Sequence, residues 1–102
     1  MYDVMFVCSA GMSTSMLVER VKAEAVKAGV EMEIYALGES EAKKNLDKPN
    51  CILLGPQVRY MEGAFKKLVE GKDIKLGVIE MLAYGRLDGA KVYAQIADLL
   101  GL

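Results

Sequence analysis

Val4-Met5-Phe6-Val7-Cys8-Ser9-Ala10-Gly11-Met12-Ser13-Thr14-Ser15 sets a continuous apolar run directly before a stretch of mostly small, hydroxyl-bearing residues. An apolar run of this length, ended by a Ser/Gly turn, predicts a strand buried on both faces. Beyond it, Leu17, Val18, Val21, Ala25 and Ala28 recur at helical spacing, with Glu19, Lys22 and Lys27 on other faces and Gly29 as a stop signal. Strand, small-residue loop and amphipathic helix together make the first half of a βαβ unit, and the rest of the chain repeats the pattern.

Glu31 to Leu37 starts as a polar–apolar alternation, the mark of an edge strand. A short helix is expected over Glu39 to Leu46, closed by Pro49. Cys51-Ile52-Leu53-Leu54 is a second fully apolar strand, stopped by Gly55-Pro56. Val58 to Val69 reads as one helix with a stripe of Met61, Ala64, Phe65 and Leu68. Ile74 to Ile79 is the fourth strand, Met81 to Gly89 a loop, and Val92, Ile96, Leu99 and Leu100 mark the last helix. Such alternation implies an α/β fold: an open four-stranded parallel sheet with helices on both faces. Right-handed crossovers favour the order 2-1-3-4, flavodoxin-like and low-molecular-weight-phosphatase-like. The first and third strands are then central.

With 102 residues, 53% hydrophobic and 26% charged, the chain is expected to form a single domain over residues 1–102. A net charge of -1 offers no broad attraction to nucleic acid or anionic membrane. No signal peptide or membrane-spanning run is visible, so a cytoplasmic protein is expected. Two cysteines and no histidine argue against a disulfide framework and against a metal site. In parallel strands Cys8 ends one and Cys51 begins another, roughly 15 Å or more apart, too far for a disulfide. Cys51 reads as a small core residue.

Cys8 is different. Ligands bind outside the carboxyl ends of parallel strands where the strand order reverses, here between the first and third. Ser9, Ala10, Gly11, Met12, Ser13, Thr14 and Ser15 would expose backbone N–H groups just before a helix, a cradle for an anion, with Met12 projecting outward. The same field favours thiolate over thiol, which supplies the activation that a missing histidine cannot. The expected chemistry is nucleophilic: Cys8 accepts a dianionic, phosphoryl-like group.

Cysteine-dependent phosphatases with such a loop follow C-x5-R-[ST], and Thr14 stands at the arginine position. Without that charge hydrolysis should be slow, a defect in a phosphatase but useful in a carrier. Arg20 falls too far along its helix, while Arg59 and Arg86 follow strands whose ends face the site. A low-molecular-weight cysteine phosphatase or arsenate-reductase-like hydrolase stays open as an alternative, as does a nucleotide or flavin binder. No tryptophan is present to stack a flavin, and no cofactor is expected.

Cys8-Ser9-Ala10-Gly11-Met12-Ser13-Thr14-Ser15 resembles the phosphocysteine loop of the enzyme IIB components of the phosphoenolpyruvate-dependent sugar phosphotransferase system, lactose/cellobiose class, nearest the cellobiose/diacetylchitobiose branch. The resemblance extends to Leu53-Leu54-Gly55-Pro56-Gln57 with Tyr60-Met61, and to Tyr84-Gly85-Arg86-Leu87-Asp88-Gly89. It implies a four-stranded parallel sheet and a phosphoryl carrier. The cysteine matching Cys8 would take the group from a phosphohistidine of a separate IIA component and pass it to a sugar of cellobiose, chitobiose or β-glucoside type held by the membrane component IIC. The carrier would thus visit the inner face of the membrane transiently.

Gln57, Tyr60, Tyr84 and Asp88 are candidate site-flanking residues. Tyr60 also reads as core, and Asp88 as a cap on the last helix. Two successive partners require Cys8 near the surface, with Met12 and Val58 or Met61 as a docking patch.

Overall fold

The computed structural model describes residues 1–9 and 15–102. Four strands, β1 (Tyr2–Cys8), β2 (Met32–Gly38), β3 (Cys51–Leu54) and β4 (Lys75–Val78), form one parallel sheet in the order β2-β1-β3-β4. The helices are α1 (Ser15–Lys27), α2 (Glu39–Lys44), α3 (Glu62–Leu68), α4 (Met81–Gly85) and α5 (Gly89–Leu100), with a 3-10 segment, Pro56–Met61, between β3 and α3. Sheet order and class are as the sequence implies.

The central strands explain themselves. Val4 to Cys8 and Cys51 to Leu54 are fully buried because helices cover both faces. Pleat alternation sends Val4, Phe6, Cys51 and Leu53 to one side, against Leu17 and Val21 of α1 and Val92 and Ile96 of α5. Met5, Val7, Ile52 and Leu54 go to the other, against Ala42 of α2 and Phe65 of α3. β2 and β4, each paired on one side only, are less completely buried.

α1 ends at Gly29, whose φ of 72° is open to glycine at little cost. There Val30 N–H donates to the Ala25 carbonyl and Gly29 N–H to that of Val26, both at 3.0 Å, a Schellman closure. At α5 the start is packed hard on α1: a Cβ on Gly89 would lie 2.8 Å from the backbone of Arg20.

Three expectations need correction. The stretch 81–89 is not all loop, since Met81–Gly85 forms α4. Val58–Val69 is not one helix: the 3-10 segment starts on Pro56 and breaks at Val58, at φ -117° and ψ 20°. The buried stripe is therefore Val58, Met61, Phe65 and Val69, while Ala64 and Leu68 are exposed. Three residues per turn carry Val58 to Met61, and α-helical steps of four then carry Met61 to Phe65 and Val69.

At the amino end of the sheet, Tyr35 Oη donates to Asp3 Oδ1 at 2.5 Å, and Lys48 Nζ lies 3.7 Å from Asp3 and 4.7 Å from the Tyr35 ring centroid. Asn50 completes the knot by accepting from Asp3 N–H through its side chain at 2.7 Å. This ties the segment before β3 onto β1 and β2, far from the end where the strands' carboxyl termini emerge.

Candidate functional site at the carboxyl end of the central strands

Cys8 is the last residue of β1, and the strand order reverses between β1 and β3, so it stands at the crevice position of an open parallel sheet. On one side it pairs with Gly38 of β2. On the other, Gly55 N–H donates to the Val7 carbonyl at 2.8 Å and carries the β3 ladder one step past Leu54, level with Cys8. Both cross-strand neighbours of the cysteine therefore lack side chains. A Cβ on Gly55 would sit 3.8 Å from Cys8 Cβ, 3.3 Å from the Val7 carbonyl oxygen and 2.9 Å from Gln57 Oε1. The glycine pair was not singled out from sequence. Its signal was there, because β2 ends in Leu37-Gly38 and Gly55 follows Leu54 at the end of β3, but only the register shows that the two glycines meet at Cys8.

The sulfur itself is covered: Cys8 is 0% exposed. That corrects the expectation of a surface position. Cys8 is the last residue of a central strand flanked by β2 and β3. Ser9 and Ser15 are exposed, the latter opening α1, whose N-terminal dipole end lies at this end of the sheet. Ala10, Gly11, Met12, Ser13 and Thr14, the rest of the expected phosphate loop, lie outside the described residues.

Of the flanking candidates, the structure brings Gln57 to Cys8. Its carboxamide oxygen and Cys8 Cβ both approach the vacant Cβ position of Gly55, so no more than the sum of 2.9 and 3.8 Å separates them. Tyr60 is not core; it is 78% exposed, since three residues per turn bury Met61 after Val58 and leave residue 60 outside. Val58 and Met61 are buried, which removes them as a docking patch for the same reason. Tyr84 is half-buried against the α1/α5 layer. Asp88 caps α5, its Oδ1 accepting from Lys91 N–H at 3.1 Å. Asp88 also lines a cleft of about 420 Å³ between α1 and α5 together with Arg20 and Arg86. Arg59 is exposed on the 3-10 segment.

Neither cysteine is in a disulfide. Cys51 pairs with Val4, four residues before Cys8, which places the two thiols about 14 Å apart at ~3.3 Å per residue and ~4.8 Å between strands. That is slightly less than the sequence implied and still twice the reach of a disulfide. Burial pushes the Cys51 thiol up to about 12, so it stays protonated and unreactive at neutral pH. Among the described residues no helix is long and apolar enough to cross a membrane.

Comparison with known proteins agrees with this geometry. Residues 3–95 match the family model described as the PTS system, Lactose/Cellobiose specific IIB subunit. The chain is 39% identical over 100 residues to the oligo-beta-mannoside-specific EIIB component of Bacillus subtilis, covering 98% of this chain and 97% of that protein. It is 38% identical over 98 residues to the cellobiose-specific EIIB component of Lactococcus lactis, covering 91% of each. The galactose-specific EIIB component from the same species is also 38% identical. Among solved structures, the lactose-specific IIB domain of Streptococcus pneumoniae superposes with a TM-score of 0.86 over 96% of both chains, at 17% identity. The cellobiose-specific IIB protein of Borrelia burgdorferi reaches 0.73 at 32% identity, over 91% of this chain and 85% of that one. A parallel sheet in the order 2-1-3-4, a cysteine at its switch point and relatives matched nearly end to end lead to one assignment: this chain belongs to the lactose/cellobiose-specific IIB subunits, the sugar-specific components of the phosphotransferase system.

Proposed function

We propose that the chain is a phosphoryl carrier whose acceptor atom is Cys8 Sγ, with residues 1–102 acting as one IIB unit. The observation that carries this reading is the position of Cys8 at the end of β1, at the order reversal, between Gly38 and Gly55. Neither cross-strand neighbour of Cys8 puts a side chain of its own beside the sulfur, and the N-terminus of α1 supplies a favourable field for a phosphoryl group's charge.

The donor is the phosphohistidine of a IIA component. The S–P bond forms as the N–P bond breaks, and the thiol proton ends on the departing imidazole. In the second step a sugar hydroxyl held by IIC attacks phosphorus. The O–P bond forms, the S–P bond breaks, and the hydroxyl proton returns to sulfur. The loop Ser9 to Ser15 holds the phosphoryl oxygens, and Gln57 offers a neutral carboxamide donor beside them. The sugar is of the cellobiose, chitobiose or β-glucoside type. The exchange takes place in the cytoplasm and at the membrane face where IIC opens.

The test is intact mass and phosphorus-31 spectroscopy after incubation with phosphoenolpyruvate, enzyme I, HPr and a cognate IIA. One phosphoryl group is expected on the wild type and none on Cys8→Ser, with the fold retained. An adduct of equal yield on Cys8→Ser would refute the assignment. No adduct, with steady phosphate release from a simple phosphomonoester, would favour the hydrolase instead.

A further inference from the structure

Of the four segments that emerge from the carboxyl end of the sheet, the three that follow β1, β3 and β4 carry the chain's three arginines. Each also carries an exposed large apolar side chain. α1 bears Met16, 58% exposed, with Arg20 one turn later. The 3-10 segment bears Arg59 beside Tyr60. α4 bears Met81 and Leu82, 60% and 57% exposed, and is capped by Arg86.

The two kinds of cation are treated differently in this fold. Seven of the ten lysines lie within 4.0 Å of a carboxylate. Among the described residues none of the three guanidinium groups is held in an ion pair. The acids around them are engaged elsewhere: Glu19 with Lys22, Glu24 with Lys27, Glu80 with Lys91, and Asp88 with the backbone of α5.

Arg20 and Arg86 line the same cleft between α1 and α5. Arg20 also borders the hollow around Met16, and Arg86 the apolar hollow around Met81 and Leu82, so one band of surface runs from α1 to α4. Cα–Cβ bonds tilt toward a helix's N-terminus, which leans Arg20 toward the Cys8 end. The platform under the band is fixed. Gly89 abuts the Arg20 backbone, and α4 closes with Leu87 in the left-handed region at φ 53°, where Asp88 N–H donates to the Ala83 carbonyl at 2.9 Å.

From these features we infer that the band is a docking face for an acidic protein surface, carboxylates around an apolar centre, belonging to the phosphoryl-donor component; the identity of that partner rests on the relay described above. Arginine, methionine and tyrosine are the residues enriched at such interfaces. An unpaired guanidinium engages a partner carboxylate without first giving up an internal one. The charge also sets a direction. A phosphorylated donor arrives carrying roughly 1.5 to 2 extra negative charges, and transfer moves that charge onto the carrier. The donor then leaves a face whose arginines are already partly neutralised.

Binding of the cognate phosphorylated IIA is to be measured by calorimetry in a Cys8→Ser background, where no acceptor thiol remains and affinity reports docking alone. Arg20→Glu/Arg86→Glu should weaken binding at least tenfold. Lys66→Glu/Lys67→Glu, on exposed α3 positions outside any ion pair, should change it less than twofold. The wild-type affinity should fall severalfold as salt rises and the screening length shrinks from about 10 Å to a few ångströms. An arginine variant that keeps its melting temperature and binds within twofold of the parent overturns the proposal, as does an affinity indifferent to salt. Normal IIA binding with lost transfer through IIC would also overturn it, by making the acceptor the occupant. The nucleophile is judged separately: with Cys8 intact and donor in large excess, the arginine variant should still reach one phosphoryl group per chain.

Discussion

Replacing Gly89 by alanine tests the α1–α5 contact on which the cleft depends. The added Cβ would lie 2.8 Å from three Arg20 atoms, two of them backbone, where ordinary contact begins at 3.4 Å. Because a helix backbone cannot rotate aside as a side chain does, α5 must move by about 0.6 Å or α1 must bend. Overpacking of this kind costs about 1–3 kcal/mol. Against it stands a gain of up to about 1 kcal/mol for exchanging glycine for alanine in a helix, less at its first residue. The net is a loss of about 1–2 kcal/mol, or roughly 4–15 °C in melting temperature for a domain of this size. Gly63→Ala is the matched control, since nothing lies within 4 Å of its Cβ position in α3; it should be neutral or stabilising by up to about 1 kcal/mol. Thermal and urea unfolding followed by circular dichroism reads both. Gly89→Ala as stable as Gly63→Ala would refute the close approach.

Three further outcomes are expected. Burial first, and then the hydrogen bond to Asp3, hold the Tyr35 phenol well above the ordinary tyrosine range. A proton held more tightly in the folded state gives stability present below about pH 10 and lost as pH rises past it. Tyr35→Phe should therefore cost about 1–2 kcal/mol near neutrality and flatten the alkaline limb of stability against pH; an unchanged limb would show that the bond does not form. Cys51→Ala should cost about 1–2 kcal/mol while leaving the phosphoryl adduct intact, and a folded variant without adduct would give Cys51 a chemical role it is not assigned here. Gly55→Ala meets the movable end of Gln57 at 2.9 Å but also the Val7 carbonyl oxygen at 3.3 Å, a backbone atom, so its melting temperature should fall modestly. Phosphoryl transfer to Cys8 should still slow, and a normal rate would show that the space beside Cys8 is not used.

The sheet was legible in the sequence because its central strands are unbroken apolar runs and its edges are not, a difference that burial alone produces. β3 is found at the expected residues, Cys51–Leu54. Short-range conformational chemistry was harder to read. Five residues of α4 are too few for a period to emerge, and their exposed Met81 and Leu82 break the rule that apolar residues mark the inside. Pro56 starts a 3-10 segment whose three-residue turn shifts the stripe, which is why Tyr60 was misplaced. At the candidate site, Cys8 and the Gly55-Pro56-Gln57 turn stood out by residue type. What could not be read was register: Gly38 and Gly55 are 30 and 47 positions along the chain from Cys8 and meet it only through strand pairing.

The central place of β1 bears on how the molecule opens. It is hydrogen-bonded on both sides and covered on both faces, so its amides should exchange with solvent only when the whole sheet comes apart. β2 and β4 each have a free edge and should exchange through smaller local openings. Cys8 is thus anchored to the most slowly opening part of the chain, and fraying at either edge leaves its backbone where it was. The strand itself acts as the fixed reference for whatever approaches that end of the sheet.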